Sequence, residues 1–267
     1  MKKYFIFLEK LVNVFIFFSC SLFREKKYLK ILFGKFFSKF FFKKSSKDYL
    51  TWIYLNSEEL DSYCSSLDEK LWKESCEYSA FLNSYALKNI ENSLIEKMGG
   101  AGAIELLFFL VRKLKPKKIL ETGVALGYSS ATFLEAIKRN NFGELYSSDF
   151  PYPGIKNSYK FIGKLVPKNM RDNWVLKTSG DANNLPELSN IIGQIDFIHY
   201  DSDKSYKGRN FMINVLKNNL HDNTIILFDD IHENSHFKDL VEKNFLKEHK
   251  IFRYKNKYIG MLGKINY

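Results

Sequence analysis

Two apolar segments of this chain each end in a pair of aspartates. Asp201 and Asp203 follow one segment, and Asp229 and Asp230 follow the next. If both segments are parallel strands of one sheet, their carboxyl ends meet at one edge and the four carboxylates share a crevice. Such a cluster repels itself unless a cation or a proton neutralises it. Because oxygen ligands favour Mg²⁺ or Ca²⁺ over zinc, the pattern predicts a divalent cation there.

Several groups that could accept a proton or contact an acceptor lie close to these aspartates in sequence. Lys204 follows directly, and a lysine beside a cation can have its pKa lowered enough to act as a base. The alternative is a solvated lysine that only pairs with a neighbouring aspartate. His232 is a second candidate base, and Tyr206 could line the acceptor pocket. His199 lies within a strand and is expected to be a hydrogen-bonded core histidine.

A glycine turn between an apolar strand and a helix is the second chemical feature. The strand ends at Glu121, the turn carries Gly123 and Gly127, and the helix opens near Tyr128. Such a turn directs backbone N–H groups and a helix N-terminus at an open crevice, where a nucleotide-like ligand can bind. The spacing E-x-G-x-x-x-G differs from the G-x-G-x-x-G of dinucleotide-binding proteins. Taken alone the turn has another interpretation, because parallel α/β proteins in general carry glycines in such turns.

Two later strand ends could bind the rest of such a ligand. Asp149 ends the following strand, where a carboxylate can accept two hydrogen bonds from a ribose diol. Asp181 or Ser179, after the next strand, could reach an adenine amino group. Together with Glu121, these positions predict a nucleoside site along the carboxyl edge of the sheet.

Strands and helices alternate in the C-terminal part of the chain. Strands are predicted over residues 118–121, 144–148, 174–178, 195–200 and 224–229, with a hairpin over 251–254 and 258–263, and helices over 104–114, 129–139, 157–165, 185–192, 207–220 and 236–248. The alternation predicts an α/β fold: a doubly wound, Rossmann-like, mostly parallel seven-stranded sheet with helices on both faces and a C-terminal antiparallel hairpin. Residues 99–267 are assigned to this domain. Residues 48–98 are predicted to form a helical cap over the crevice, with a capping box at Ser66 and Glu69.

Basic charge is concentrated at the N-terminus. Residues 1–47 hold twelve of the 41 basic and two of the 30 acidic residues, which is +10 of the net charge of +11. The nearly neutral remainder argues against a nucleic-acid groove in the catalytic region. Twelve of the 25 phenylalanines lie in the same segment. We expect this segment to lie in a membrane interface or to pack on the domain or in a dimer contact. A spanning anchor is a weaker alternative, because Glu9 and Lys10 interrupt its apolar stretch.

Residues 118–134, KILETGVALGYSSATFL, resemble the first motif of class I S-adenosylmethionine-dependent methyltransferases. The resemblance implies S-adenosyl-L-methionine as the methyl donor. This donor is a sulfonium nucleoside without a phosphate. It suits a turn that places an acid near the charged amino-acid end of the ligand. The donor-binding residues that the resemblance and the strand ends together imply are Glu121, Thr122, Gly123, Gly127, Tyr128, Ser129, Asp149 and Asp181.

The later motifs resemble a narrower group. D-S-D-K at residues 201–204 is similar to the D-A-D-K of catechol and caffeoyl-CoA-type O-methyltransferases, and the following D-D resembles their D-N pair. This resemblance implies a metal site formed by Asp201, Asp229 and Asp230, with Lys204 as the general base. Asp230 in place of Asn departs from that group and adds a third negative charge.

The same region also resembles a broader bacterial group of class I methyltransferases. That group typically shows D-G-D-H-S-Y-E-G and acts on sugars and other hydroxyl acceptors, and Lys204 stands where it has His. The chain lies between the two groups, so the resemblance leaves the acceptor open. It covers residues 95–265 and none of the N-terminal segment.

These observations predict a methyltransferase that moves a methyl group from S-adenosylmethionine to a hydroxyl of a sugar, a glycolipid or another small molecule, assisted by Mg²⁺ or another divalent cation. The alternatives are a metal-independent or N-directed methyltransferase, and a membrane-tethered, non-catalytic module of the same fold. The three cysteines form no C-x-x-C pair, which favours a reducing compartment and argues against structural zinc. We expect a cytoplasmic protein, peripheral on the inner face of the membrane, without a nucleic-acid partner and with a homodimer as a further option.

Overall fold

The structure, a computed structural model, describes Val12 and residues 45–265. The predictions for the basic, Phe-rich N-terminal segment therefore fall almost wholly outside the described residues. Within these ranges, none of the helices is both long enough and apolar enough to cross a bilayer.

The described strands form one eight-stranded sheet with the order β1-β7-β8-β6-β5-β2-β3-β4. The strands are β1 (Ser57–Glu59), β2 (Lys118–Thr122), β3 (Glu144–Ser148), β4 (Trp174–Lys177), β5 (Phe197–Tyr200), β6 (Ile225–Phe228), β7 (His249–Tyr254) and β8 (Lys257–Leu262). All neighbouring pairs are parallel except those of β8, which runs antiparallel to β6 and to β7. The doubly wound, mostly parallel sheet with its C-terminal hairpin is confirmed, with one strand more than the seven predicted.

Helices cover both faces of this sheet. They are α1 (Lys47–Leu55), α2 (Leu60–Asn89), α3 (Asn92–Met98), α4 (Ile104–Leu114), α5 (Tyr128–Asn140), α6 (Asp181–Ile192), α7 (Tyr206–Leu216) and α8 (His236–Glu242), with short 3₁₀ turns at Ser158–Lys160, Lys168–Asn173, Lys217–Asn219 and Ile231–Glu233. Successive strand residues point to opposite faces. Ile119 of β2 therefore packs with α2, α4 and α5, whereas its neighbour Leu120 packs with α1, α6, α7 and α8.

The strand that the sequence did not predict is β1. Its residues are polar, so it lacks the apolar alternation by which strands are recognised. It pairs with β7 at the edge of the sheet, where ion pairs bridge the two strands: Arg253 Nε lies 2.7 Å from Glu59 Oε1, and Lys250 Nζ lies 2.9 Å from Glu58 Oε1. Tertiary pairing rather than local pattern therefore defines this strand.

The segment predicted as a cap over the crevice is helical but packs elsewhere. The Tyr78 ring of α2 stacks on Phe108 of α4 at 4.7 Å, and the Tyr78 hydroxyl donates to the Ala131 carbonyl of α5 at 3.1 Å. Helix α2 therefore packs against α4 and α5 on one face of the sheet. The crevice is instead lined by residues 100–103, the loop that enters α4.

The predicted capping box at Ser66 and Glu69 was wrong. Helix α2 is interrupted at Asp68, whose φ of −169° is not helical, and Asp68 Oδ1 accepts a hydrogen bond from the Leu71 amide at 3.0 Å. Ser66 Oγ donates to the Tyr63 carbonyl at 2.7 Å instead. An aspartate is as good an N-cap as a serine, so the two competed within three residues of each other.

The helix predicted over residues 157–165 was also wrong. Only Ser158–Lys160 form a 3₁₀ turn, and the chain then folds back against the glycine turn. The Gly163 amide donates to the Ala125 carbonyl and the Leu165 amide to the Leu126 carbonyl, both at 2.9 Å. These two tertiary hydrogen bonds take the place of helical ones.

The buried His236 at the start of α8 gives the fold a pH dependence. Its side chain is 2% exposed, and neither ring nitrogen has a hydrogen-bond partner within residues 45–265. Burial, reinforced by the charge of Arg209, lowers the pKa of His236 to about 4. The unfolded chain, with an ordinary histidine pKa near 6.5, therefore binds more protons than the folded chain between these two values.

We therefore expect His236→Phe to flatten the loss of stability in acid. The phenyl ring keeps the edge contact with Tyr206, whose ring centroid lies 5.0 Å away, but has no group to protonate. Between pH 6.5 and pH 4 the wild-type protein should lose about 2–3 kcal/mol of unfolding free energy that the variant retains. Urea denaturation at a series of pH values measures this difference. Parallel pH profiles for the two proteins would contradict it.

Candidate active site

One cavity joins the glycine turn to the aspartates at the ends of β5 and β6. Its empty volume is about 530 Å³, including its open mouth. The lining comes from the loop before α4, the turn between β2 and α5, and the ends of β5, β6 and β8: Gly100, Ala101, Gly102, Ala103, Leu107, Gly123, Val124, Ala125, Tyr128, Ser129, His199, Asp201, Leu227, Asp229 and Ile259. Of the predicted site residues, Gly123, Tyr128, Ser129, Asp201 and Asp229 thus face one space.

Glycine is required where the β2 turn meets the end of β5. Gly123 has a φ of +86°, and a Cβ built on it would lie 2.5 Å from the Asp201 carbonyl oxygen. The neighbouring Asp201 amide donates to the Thr122 carbonyl at 3.0 Å, which holds the two strand ends together. Gly127, with a φ of +92°, starts α5, and a Cβ there would lie 2.8 Å from the Cα of Gly163. Both glycines of the motif therefore permit close backbone approach.

Glu121 does not line the cavity. Its side chain is fully buried and accepts hydrogen bonds from the hydroxyls of Ser129, Ser130 and Ser147, the last two at 2.6 Å. Burial raises the pKa of Glu121 to about 7, and the three hydroxyls partly oppose that rise. Contact between Glu121 and a donor stays a prediction. In this structure the carboxylate reaches the cavity only through Ser129.

The two acids predicted to bind ribose and adenine lie in the polar network behind the turn. Asp149 Oδ2 accepts from the Ala125 amide at 2.7 Å, and Oδ1 accepts from the Phe150 amide at 2.6 Å. Asp181 accepts from the hydroxyls of Ser148, at 2.6 Å, and of Ser202. These bonds fix the carboxylates at the ends of β3 and β4. Their contacts with a nucleoside stay predictions.

Asp201, Asp229 and Asp230, here called the carboxylate triad, come together as the sequence predicted. Each offers an oxygen, and the three oxygens lie within 4.8 Å of one another. Lys204 Nζ lies among them, 2.8 Å from Asp201 Oδ1 and 3.5 Å from Asp229 Oδ2, and it also contacts Asp230. The predicted metal ligands and the predicted base therefore form one cluster.

A second ammonium group reaches the carboxylate triad. Lys257, the first residue of β8, places its Nζ 3.4 Å from Asp229 Oδ2 and 3.3 Å from Asp230 Oδ1. Sequence reasoning missed it because it follows the triad by more than 25 residues, in a hairpin rich in lysine. The one signal in the sequence was the predicted C-terminal hairpin. In the structure its strand β8 pairs antiparallel with β6, which brings the start of β8 beside the end of β6.

The charges in this cluster shift one another's pKa values. Burial and the charge of Asp229 raise the pKa of Asp201 to about 7. Burial would also raise the pKa of Asp229, but Lys204 and Lys257 outweigh it and bring that pKa below its ordinary value. Burial alone would lower the pKa of Lys204, yet the charges of the carboxylate triad raise it. Lys204 is therefore held as an ammonium in this arrangement.

Arg209 of α7 is a second residue that sequence reasoning missed. It is fully buried, and its Nη2 donates to the carbonyls of Asp229 and Asp230 at 3.0 and 2.9 Å. Asp230 has a φ of +51°, so the guanidinium holds a left-handed backbone turn in place. Asn234 ties this turn to the other motif, because its Nδ2 donates to the Lys204 carbonyl at 2.7 Å. Arg209 thereby positions the backbone that carries two of the three carboxylates.

The expectation for His199 is confirmed for its burial within β5 but wrong for the hydrogen bonding of its Nδ1. This residue is 7% exposed and lines the cavity, and its Nδ1 has no hydrogen-bond partner among the described residues. Its ring packs edge-on against Phe133 with centroids 5.8 Å apart. Burial lowers the pKa of His199 to about 4, although the charge of Asp229 opposes that shift. The imidazole is therefore a neutral polar group at the floor of the cavity.

His232 and Tyr206 lie outside the cavity lining. The His232 ring approaches Tyr258 with centroids 6.2 Å apart, and its carbonyl accepts from Ser45 Oγ at 2.6 Å. The Tyr206 hydroxyl donates to Asp239 Oδ2 at 2.7 Å, and its side chain is largely exposed. The base role of His232 stays a prediction. The structure does not support an acceptor-pocket role for Tyr206.

Comparison with known families identifies this region. Residues 120–231 match the family model described as "Methyltransferase domain". The matched region runs from β2 to the turn after β6, and so contains both the glycine turn and the carboxylate triad. The match covers less than half of the chain, and together with the sheet order it supports the predicted class I methyltransferase fold for this region. It confirms the expectation of a methyltransferase.

Similar folds occur among solved methyltransferase structures. An SAH-bound methyltransferase from Podospora anserina is 18% identical with a TM-score of 0.47, over 77% of this chain and 93% of that one. An O-methyltransferase from Bacillus cereus in complex with SAH is 15% identical with a TM-score of 0.46, over 79% and 100%. A methyltransferase from Geobacter sulfurreducens is 15% identical with a TM-score of 0.49, over 69% and 88%. No curated protein sequence matches the chain.

The close approach at Gly123 predicts the effect of adding one methyl group. Gly123→Ala combines a strained φ with a clash against the Asp201 carbonyl, whereas Gly193→Ala has a comparable φ of +75° but nothing within 4 Å of the new Cβ. We expect Gly123→Ala to cost about 2 kcal/mol more than Gly193→Ala and to weaken S-adenosylhomocysteine binding at least about tenfold. Urea denaturation and calorimetric titration measure the two effects. Equal losses in both variants would mean that the contact at Asp201 is unimportant.

Proposed function

We propose that this protein transfers a methyl group from S-adenosylmethionine to a hydroxyl group of a sugar, a glycolipid or another small molecule. The observation that carries the proposal is the shared cavity. Ser129 and the glycine turn line one side of it, and Asp201 and Asp229 line another. A donor on the first side and an acceptor hydroxyl on the second would be aligned for in-line displacement at the sulfonium.

On the donor side, the proposal assigns contacts to the turn and to the acids behind it. Residues 123–125 of the turn line the cavity and are proposed to contact the donor. Ser129 is placed by its hydrogen bond to Glu121 and itself faces the cavity. Asp149 and Asp181 are proposed to bind the ribose and the adenine, since both lie at strand ends on the same edge of the sheet.

On the acceptor side, the hydroxyl proton must be removed as the oxygen attacks. Lys204 is the proposed proton acceptor, and its surroundings add a condition. Three carboxylates stabilise its ammonium form. Lys204 can therefore act as a base only after it has released that proton to solvent, which requires something else to neutralise the carboxylates. Asp201 and Asp229 are proposed to orient the hydroxyl.

A divalent cation is proposed to neutralise the carboxylate triad during the reaction. Asp201, Asp229 and Asp230 would hold it, and three carboxylate oxygens within 4.8 Å of one another are a donor set that suits Mg²⁺ or Mn²⁺. Such an ion lowers the pKa of a coordinated hydroxyl and orients it. A metal-independent reaction is the second candidate, favoured by the two ammonium groups that already contact the triad.

Donor binding and methyl transfer test this proposal together. The wild-type protein should bind S-adenosylhomocysteine in calorimetric titration. Asp149→Asn should weaken binding at least about tenfold, because it removes a charged hydrogen-bond acceptor. Asp172→Asn, at an exposed aspartate of a 3₁₀ turn, is the matched control and should bind as the wild type does. Methyl transfer is then assayed on sugars, phenols and lipid-linked hydroxyls, with and without EDTA.

The outcomes separate the alternatives. Transfer that EDTA abolishes supports metal assistance, and transfer that resists EDTA supports the metal-independent reaction. A wild-type protein that binds no S-adenosylhomocysteine and methylates nothing would contradict the enzymatic proposal and favour a non-catalytic module.

The N-terminal segment is proposed to bring the enzyme to the inner face of a membrane, where a lipid-linked acceptor would be available. Its lysines and phenylalanines have the composition of an interfacial segment, and each lysine near an anionic surface contributes about 1 kcal/mol.

Liposome flotation tests the membrane proposal. A variant that lacks residues 1–44 keeps Ser45, whose Oγ bonds to the His232 carbonyl, and Ser46, which caps α1. We expect the full chain to float with anionic vesicles and to float less with neutral ones. The variant should float with neither. Both proteins should bind S-adenosylhomocysteine equally. Equal flotation of the two proteins would contradict the membrane role.

A further inference from the structure

Two ammonium groups from different elements already contact the carboxylate triad. Lys204, from the loop after β5, contacts all three aspartates, and Lys257, from β8, contacts Asp229 and Asp230. Two ammonium groups bring the same positive charge as one divalent cation. A divalent ion added beside both lysines would turn an excess of negative charge into an excess of positive charge. Charge balance therefore favours the departure of one lysine when an ion binds.

Lys257 is the lysine that can leave. Its side chain is 44% exposed and touches two of the carboxylates at 3.3–3.4 Å, whereas the Lys204 side chain is 23% exposed and touches all three. A long, half-exposed lysine that swings into water regains hydration and rotamer freedom. Lys204 has less room to move, and its backbone carbonyl is held by Asn234.

We infer that Lys257 is a built-in competitor of the divalent cation: it occupies Asp229 and Asp230 in the metal-free enzyme and weakens metal binding until it swings out. This inference rests on the proposed function only in taking the carboxylate triad as the cation's ligands. It assigns to Lys257 a positioning role, since it acts on the aspartates rather than on the acceptor. It also explains how three buried or partly buried carboxylates are neutralised before an ion binds.

Direct metal titration of the full-length protein tests this inference. Mn²⁺ is the probe, followed by isothermal calorimetry and by the loss of its free-ion paramagnetic resonance signal. We expect Lys257→Met to bind Mn²⁺ at least about tenfold more tightly than the wild type, because a competing positive charge at contact distance is removed. Lys257→Arg keeps the charge and should bind Mn²⁺ as the wild type does.

Lys255→Met is the matched control, because Lys255 lies in the same hairpin and its Nζ lies over the Tyr254 ring rather than at the triad. It should leave Mn²⁺ affinity unchanged. Equal affinities for wild type and Lys257→Met would overturn the inference, as would an absence of Mn²⁺ binding in both. An equal gain in Lys255→Met would overturn it too, since the effect would then be one of overall charge.

S-adenosylhomocysteine titration of the same preparations separates this inference from the proposed function. Tighter Mn²⁺ binding in Lys257→Met without any S-adenosylhomocysteine binding would support the competition while contradicting the methyltransferase proposal. Normal S-adenosylhomocysteine binding with unchanged Mn²⁺ affinity would overturn the competition alone.

Discussion

Mutual repulsion among the carboxylates at one edge of the sheet is the constraint on which the site depends. Strands β5 and β6 are parallel and in register, with Tyr200 opposite Phe228, so the aspartates that follow them are brought side by side by the main chain. The backbone cannot separate these charges without breaking the sheet. Neutralisation must therefore come from side chains or ions. In this structure it comes from Lys204, which precedes the Asp229–Asp230 pair in sequence, and from Lys257, which follows that pair.

The turn that carries Asp229 and Asp230 is held by positive charge from two directions. Arg209 binds the two carbonyl oxygens from within the core, while Lys204 and Lys257 bind the carboxylates. A buried guanidinium is costly unless its donors are used, and here Nη2 donates to two carbonyls and Nη1 to Asn234 Oδ1 at 3.3 Å, whereas Nε has no partner among the described residues. The gain is a left-handed turn at Asp230 that brings the carboxylates of Asp229 and Asp230 close to that of Asp201. The geometry of the site thus depends on a residue that does not touch it.

Much of the fold and part of the site could be predicted from the sequence, for reasons that differ by element. The parallel strands were recognisable because β5 and β6 are largely apolar and buried on both faces, and because β2 and β3 each carry a buried apolar pair. The triad followed from two such strands ending in acids. By contrast, β1 has no apolar pattern, and residues 157–165 exchange helical hydrogen bonds for contacts with the glycine turn.

The missed site residues share a cause. Tertiary structure, not local sequence, brings these residues to the site. Lys257 comes from a hairpin, Arg209 from the buried face of a helix, and His199 from within a strand. A lysine in a lysine-rich hairpin, or an arginine on a helix, has no local pattern that sets it apart. His199 could have been suspected, because on an alternating strand it shares a face with Asp201 two residues later. Its position in the cavity floor follows from that parity.

Glu121 has a structural role in addition to the donor contact predicted for it. An acid at the start of the glycine turn is suited to a positively charged ligand, yet its carboxylate is enclosed by three hydroxyls from α5 and β3. Ser147 in turn accepts a hydrogen bond from Trp174 Nε1 at 2.8 Å, so the network crosses β2, β3 and β4. A carboxylate beside the first turn of α5 also interacts favourably with the helix dipole. Glu121 therefore fixes the start of α5 relative to three strands, and it is Ser129, oriented by this network, that presents a polar group to the cavity.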